Sequence, residues 1–569
     1  MKGENQKYIV DVSRFLLIFV GVDVFFASVL FIFNVSINGL NLFICWGIST
    51  VIYFLISNHE IRRKCIVIAV SCICLFVFVL SIGLIYEIAY DGNMYHKFAV
   101  GILKMGYNPV YEKVEEYLIR LNIPEQSWNN DQIWVSCYPK ASWCFDATIY
   151  AVTNWIESAK LFNLIIFISS FGICYDYFSY KLQKRFASMI TFLLIATPTS
   201  VSMLPTFYLD GALGNLLITS IVLLMSVTDD AYKGNKRLQF MYLGICIVLC
   251  GNLKITGLAY EGIFCFSFFV MWLIHLIKKD NHKMKIKKIR GIILYYICIV
   301  CVTVCVVGYG TYITNIINYG DLFYPLGKLE GFDINNNLKS VRMEYMSPLI
   351  QMLSMIFVKT NINDTLPYLE WKIPFSFELS EIRSSVYDVI RGGTGFIYSG
   401  ILCIAVIMFL VWNWKFRKKN DINKKMVYLI MIISFGLICV VPAGGQTRYA
   451  PYIFYFVSFT IYLWMLEIQT GSLKNEILKK MPYVMFVLLL INLTPFIIGL
   501  SKRTFERTID AKTQFEVIKQ KGGAYIDTEL PGLVFNFIDR NIEYVYDVES
   551  KLEDGTMYYY FLDYNYMNQ

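Results

Sequence analysis

The chain has 569 residues, of which 56% are hydrophobic and only 17% charged, with a net charge of +8. A soluble protein carries about 25% charged residues, so repeated apolar runs of about 20 residues exclude a soluble enzyme and indicate an all-α polytopic membrane protein. The positive balance does not indicate nucleic acid, because Lys and Arg lie in short loops between the apolar runs, where they orient helices.

The first apolar run, 15–34, is too long for a signal peptide and lacks a small-residue cleavage site, so it is expected to be retained as a helix. The runs predict about thirteen membrane helices, near 14–35, 40–57, 65–86, 160–178, 187–204, 208–227, 238–257, 260–277, 291–316, 394–414, 426–444, 450–467 and 481–500. Basic residues recur in every second loop, as in Arg62, Arg63 and Lys64, then Lys181, Lys184 and Arg185, then Lys233, Lys236 and Arg237. The lysine-rich loops 278–290 and 415–425 and the loop 468–480 continue the series. This alternation assigns those loops and the N-terminus to the cytoplasm, and the C-terminal tail to the outside of a multi-pass plasma-membrane protein.

Three parts follow. Residues 1–64 form an N-terminal transmembrane hairpin. Residues 65–500 form the membrane core, with two long outer loops, 87–159 and 317–393. Residues 501–569 form a small extracytoplasmic α/β domain, with helices about 504–520 and 531–540 and strands GAYID, IEYVYDV and MYYYFLDY, too small to dispense with support from the outer loops. Within the first outer loop, 94–105 and 141–157 read as amphipathic helices lying on the membrane, where Trp and Tyr suit the headgroup zone. No internal repeat is evident.

No G-x-x-x-x-G-K-[ST] loop or dinucleotide fingerprint occurs on the cytoplasmic side, so activated substrate is expected from a lipid-phosphate donor in the bilayer. Of the 15 cysteines, only Cys137 and Cys144 lie in a polar loop. Their spacing does not suit structural zinc. A Cys137–Cys144 disulfide and two free thiols both stay open.

The stretch Tyr90–Glu112, YDGNMYHKFAVGILKMGYNPVYE, begins where the chain leaves the apolar run 65–86. A carboxylate at that mouth is costly to keep without a use. Asp91 is therefore the candidate general base, taking a proton from an acceptor hydroxyl; the plainer alternative is a helix cap. Glu87, one turn earlier, is a partner or competitor. Asp210, in FYLDGALGN, enters the helix 208–227, where the helix dipole alone would favour a carboxylate. Asp91 and Asp210 together could hold a divalent cation such as Mg or Mn by oxygen ligands, or Asp210 could orient the acceptor. Lys254 in GNLKITG and Arg448 in GGQTRYAP are minority charges on the outer side. Their functional reading is stabilisation of a leaving phosphate, against snorkelling to the headgroups. Lys140 in CYPKASW is a third such cation. His96 is a candidate for proton transfer or acceptor binding, or a satisfied interfacial histidine. Gly392-Gly393 and Gly444-Gly445 suit tight re-entry turns.

In this order the strings YDG, GYNPVYE, YPKASW, Asp210, NLKITG, NYGDLFYPLG, RGGTGF and QTRYAP resemble the GT-C superfamily of polytopic glycosyltransferases, including the bacterial family 39 and arabinosyltransferase-like enzymes. The resemblance spans about residues 80–450, most of the membrane core. It implies a polyprenyl-phosphate-linked sugar donor and a glycan, lipid or protein acceptor. It also implies an outward catalytic carboxylate, a role that falls on Asp91 and, second, on Asp210. The chain departs from the pattern in having two helices before the one that enters the catalytic loop, and no acidic residue directly after Asp91, which bears on metal use. By analogy with displacement at an anomeric carbon, Asp91 and Arg448 should face each other across the donor. Two rivals remain. An O-antigen type polymerase or ligase would use Arg342, Arg383 and Arg391. A lipid-linked glycan flippase would carry charges deep in several helices.

Overall fold

The computed structural model describes the chain except residues 1, 121–131, 280–281, 326–345, 362–368, 384–391, 417–421, 442–444, 527–529 and 547–569. Every apolar run that predicts a membrane helix is helical, and the chain is a polytopic helical membrane protein. Among the described residues, ten helices are long and apolar enough to cross a membrane. The difference from the expected number lies in three short helices: Leu40–Ile56 has 17 residues, Lys184–Ile195 has 12 and Lys236–Gly251 has 16. Twelve residues of helix span about 18 Å, well short of a hydrocarbon core of about 30 Å. The run 187–204 is cut because Pro198 forces the preceding residue out of the helical region. Thr197 is extended (ψ 159°), and its hydroxyl caps the next short helix, Pro198–Ser202, by accepting from the Ser200 N–H at 3.2 Å.

The helix Asp210–Thr228 is the hub, with nearly every side chain buried, packed between Phe162–Lys181 and Lys236–Gly251. By contrast, Ile61–Gly83 and His282–Cys301 turn large apolar side chains outward, among them Ile73, Phe76, Ile293, Leu294 and Ile297, as suits helices at a lipid-facing rim. The loops that the charge alternation places on one side do meet. Arg14 binds Asp176 at 2.8 Å, Arg63 binds Asp11, and Lys181 binds Asp229. All the candidate site residues lie at the other ends of their helices.

In the first long loop, a π turn, Gly92–His96, runs into the helix Lys97–Lys104, whose residues Lys97 to Leu103 are all buried, so the first expected amphipathic helix is internal too. The second expected amphipathic helix forms as Ala141–Thr153, but not as a surface element: Trp143, Phe145 and Tyr150 are at most 1% exposed. Its polar side chains Ser142, Asp146 and Thr148 are buried along with the apolar ones. Cys137 and Cys144 are both free and buried, so the disulfide does not form. Cys137 lies beside Tyr319, and Cys144 toward Asp23.

The separately expected helices 481–500 and 504–520 are one 45-residue element, Glu476–Gln520. It passes through a π turn at Pro495–Gly499, where proline supplies no N–H. Beyond it, strands Ala524–Ile526 and Tyr544–Tyr546 pair in parallel around Pro531–Arg540; the expected strand MYYYFLDY lies outside the described residues. This tail docks on the first loop. Phe535 fills the space over Gly101, where a Cβ would stand 2.1 Å from its ring, and Gly532 lies against the Asn93 carbonyl, 2.3 Å from where its own Cβ would be.

Candidate functional site

The site is built from the residues that flank helix ends. Asp91 stands at the N-terminus of the π turn Gly92–His96, and Asp210 opens the helix Asp210–Thr228. Both carboxylates are thus placed where unpaired N–H groups and the helix dipole favour negative charge. The Asp210 turn is held by Asn163, which donates to the carbonyls of Thr206 (3.1 Å) and Tyr208 (2.5 Å) and accepts from the Ala212 N–H (3.0 Å).

Each carboxylate has its own cation. Arg448 Nη1 donates to Asp91 Oδ2 at 2.9 Å, while its Nε donates to Gln446 Oε1 at 2.9 Å. Gln446 is itself placed by a parallel bridge to Gly392, at the end of the second long loop. Both Gly392 (φ 78°) and Gly445 (φ 81°) adopt the left-handed conformation that this re-entry requires. Lys254, in the turn between Lys236–Gly251 and Ile255–Lys279, donates to Asp210 Oδ1. That turn is anchored where the Ala141 N–H donates to the Asn252 carbonyl at 2.9 Å.

The two ion pairs share an aromatic wall. Arg448 and Lys254 both lie 4.8 Å from the centre of the Tyr449 ring, and Arg448 lies 5.2 Å from that of Tyr208. Tyr95 and Tyr138 complete it. Burial and the negative charges of Asp210 and Asp91 push the Tyr138 phenol well up. Tyr138 and Tyr449 each feel both carboxylates, which puts the two pairs in one cluster. The pairs differ in access: the Asp91 side chain is 23% exposed, that of Asp210 4%.

His96 backs this wall and does not face outward. It stacks on Tyr95 at 4.1 Å between ring centres, and its Nδ1 accepts from the Trp143 indole at 2.9 Å. Burial, with the nearby charges of Lys254 and Arg448, holds its pKa well below the usual value. The ring is therefore neutral, with its proton on Nε2. Lys140 is not brought to the cluster. Its ammonium is buried and donates to the carbonyls of Ser136 (3.0 Å), Tyr138 (2.8 Å) and Gly310 (3.0 Å), and burial lowers its pKa to about 8. It fastens the first loop to the helix end near Gly310.

Asp91 and Asp210 are each neutralised by a side-chain cation, and among the described residues no group of three His, Cys, Asp or Glu side chains could hold a metal. Of the arginines that a polymerase would use, Arg342 and Arg391 lie outside the described residues. Arg383 ends a short helix, and its carbonyl accepts from Arg503 at 3.2 Å.

Behind the site lies a second charged cluster, in which the side chains of Lys97, Glu157 and Lys160 are fully buried. Lys97 donates to Glu157 at 2.6 Å, Lys160 donates to the other Glu157 oxygen, and Asn536 of the tail donates to Glu157 at 2.9 Å. Asp539 accepts from Tyr150 and from the Ile156 N–H, both at 2.6 Å; burial raises its pKa to about 6. Sequence reasoning missed Tyr208, Tyr449 and Gln446, although Gln446 and Tyr449 stand in the string QTRYAP that the resemblance used and Tyr208 lies two residues before Asp210. It also missed Glu157 and Asn536, for which no local signal exists.

No family model matches the sequence, and no curated protein matches it. Among solved structures, the chain is similar to the crystal structure of ArnT from Cupriavidus metallidurans in the apo state, with a TM-score of 0.44 and 10% sequence identity over 83% of this chain and 84% of that one.

Proposed function

We propose that the chain is a membrane glycosyltransferase of the GT-C kind. It moves a sugar from a polyprenyl-phosphate-linked donor to a hydroxyl of a glycan, lipid or protein acceptor at the outer membrane surface. The observation that carries this reading is a partly exposed carboxylate, Asp91, 2.9 Å from Arg448, which shares the Tyr449 ring with a second cation, Lys254. A base and two cations under one aromatic wall are what displacement of a phosphate by a hydroxyl requires.

Asp91 and Arg448 touch in this structure and do not face each other across a gap as expected; in this reading the donor phosphate takes up Arg448 Nη1, Asp91 is released from its ion pair, and the sugar enters between them. Arg448 stays oriented through Nε and Gln446. The acceptor oxygen attacks the anomeric carbon as Asp91 takes its proton. The bond from that carbon to the phosphate oxygen breaks, and its electron pair leaves on the phosphate, where Arg448 and Lys254 meet the charge. Asp210 holds Lys254 in place. Tyr449 and Tyr95, which are partly exposed, offer ring faces to the sugar, and the buried Tyr208 ring backs Arg448.

The test is sugar release from a panel of polyprenyl-phosphate and polyprenyl-diphosphate sugars by the purified protein and by Asp91→Asn, in detergent or nanodiscs. Loss of activity in a folded variant supports the assignment. Full activity in Asp91→Asn sinks it and moves the assignment to an arginine-based polymerase.

A further inference from the structure

We infer that Glu87 is a positioning residue that ties the Asp91 turn to the Asp210 turn and sets the spacing between the two ion pairs; this rests on the proposed role of Asp91. Glu87 is fully buried and does not reach the site itself. Its Oε1 accepts from the Ala89 N–H at 2.8 Å, on the strand of chain that leads into Asp91. Its Oε2 accepts from the Phe207 N–H at 2.6 Å, three residues before Asp210. One carboxylate thus joins two backbone segments that are far apart in the chain.

The fit around it is close. Gly92 lies against the carboxyl group, and a Cβ there would stand 2.6 Å from Glu87 Cδ and 2.9 Å from both oxygens. Glycine next to Asp91 is therefore required for the Glu87 carboxylate to reach Phe207. The other end of the residue is held too. Its N–H donates to Glu157 at 2.8 Å, and its carbonyl accepts from Asn93 at 3.0 Å. An isolated buried charge would be expensive. Here Lys160 on the turn after Ala141–Thr153 and Lys97 on the first-loop helix offset it, and Glu157 opposes it.

The tie has a protonation state. Burial outweighs Lys160 and the two N–H groups and raises the Glu87 pKa to about 7. A carboxylate accepts at both oxygens, whereas a protonated carboxyl turns one oxygen into a donor that faces an N–H. One of the two ties is then lost, and the turns are free to shift. A displacement of about 1 Å can cost about 10²-fold in rate.

The experiment is the pH dependence of kcat and KM for the wild type, Glu87→Gln and Gly92→Ala, scored per folded protein by size exclusion and thermal unfolding. The wild type should lose kcat as pH falls through about 7. Glu87→Gln, whose amide always presents N–H to N–H, should have a kcat lowered by up to about 10²-fold, with no limb near 7 and little change in donor KM. Gly92→Ala keeps the charge, so its kcat should fall at every pH with the limb retained. It carries the test if Glu87→Gln does not fold. A wild type without the limb, a limb that persists in Glu87→Gln, or normal kcat in either variant overturns the inference. If Asp91→Asn is inactive while these variants are normal, only the role of Glu87 fails. If Asp91→Asn is fully active, both fail.

Discussion

Two charged clusters lie almost back to back in this protein, each built from carboxylates paired with cations, and they differ in access to water. In the site, Asp91 pairs with Arg448 and Asp210 with Lys254, and the first pair keeps an open edge. In the enclosed cluster, Glu157 pairs with both Lys97 and Lys160, and none of these side chains is exposed. A charge that can regain water is free to change partner. A charge sealed in a low-dielectric interior is held to its partner, because leaving it alone costs several kcal/mol. In the proposed function the open pair exchanges with the substrate, while the sealed one holds the scaffold.

Substitution should separate the two. The largest effect is expected at Asp91: Asp91→Asn should lower kcat by about 10²–10⁴-fold with an unchanged melting temperature, read by sugar release and a thermal melt. Glu157→Gln should do the reverse. It leaves Lys97 and Lys160 without a full counter-charge, which should cost about 3–5 kcal/mol of stability, seen as reduced folded yield and a lower melting temperature. Gly101→Ala should destabilise by about 1–3 kcal/mol, because the new Cβ would collide with Phe535. Limited proteolysis should then cut the tail near 521–530 first.

A smaller effect separates geometry from stability at Glu87. Its pKa is about 7 in the fold against an ordinary 4.5, so the folded state binds the proton more tightly. The contribution of this group to stability is full below about 4.5 and is lost as pH rises to about 7. Relative to Glu87→Gln, the wild type should melt higher as pH falls through that window, while its kcat falls. The smallest effect is expected from EDTA. With each site carboxylate already paired to a cation, chelation should leave transfer unchanged. A strong EDTA effect would mean that Asp91 and Asp210 exchange their cations for a metal.

Much of the fold was legible in the sequence because apolar runs and basic loops are local signals. The helix segments were expected close to where they lie, and the alternation of basic loops matches the pairing of Arg14 with Asp176 and Lys181 with Asp229 at one end of the bundle. Some errors have local causes of another kind. Pro198 divides one run and a π turn fuses two others, whereas the helix Ala141–Thr153 is internal for a non-local reason, the packing of other segments over its residues Ala141 to Tyr150. The site was legible in part. Asp91, Asp210, Lys254 and Arg448 all lie in one cluster, while His96 supports it from behind and Lys140 serves elsewhere.

The sequence by itself determined that this is a multi-helix membrane protein, which loops share a side, and which rare polar residues stand at helix mouths. These follow from hydropathy and charge, which act over a single helix length. Only the tertiary structure decided which charges meet. Asp91 and Arg448 are 357 residues apart in the chain, and Lys97 and Asn536 are 439 apart. Whether a carboxylate serves chemistry or scaffold depends on its partner and its access to water. Both are set by packing between distant segments.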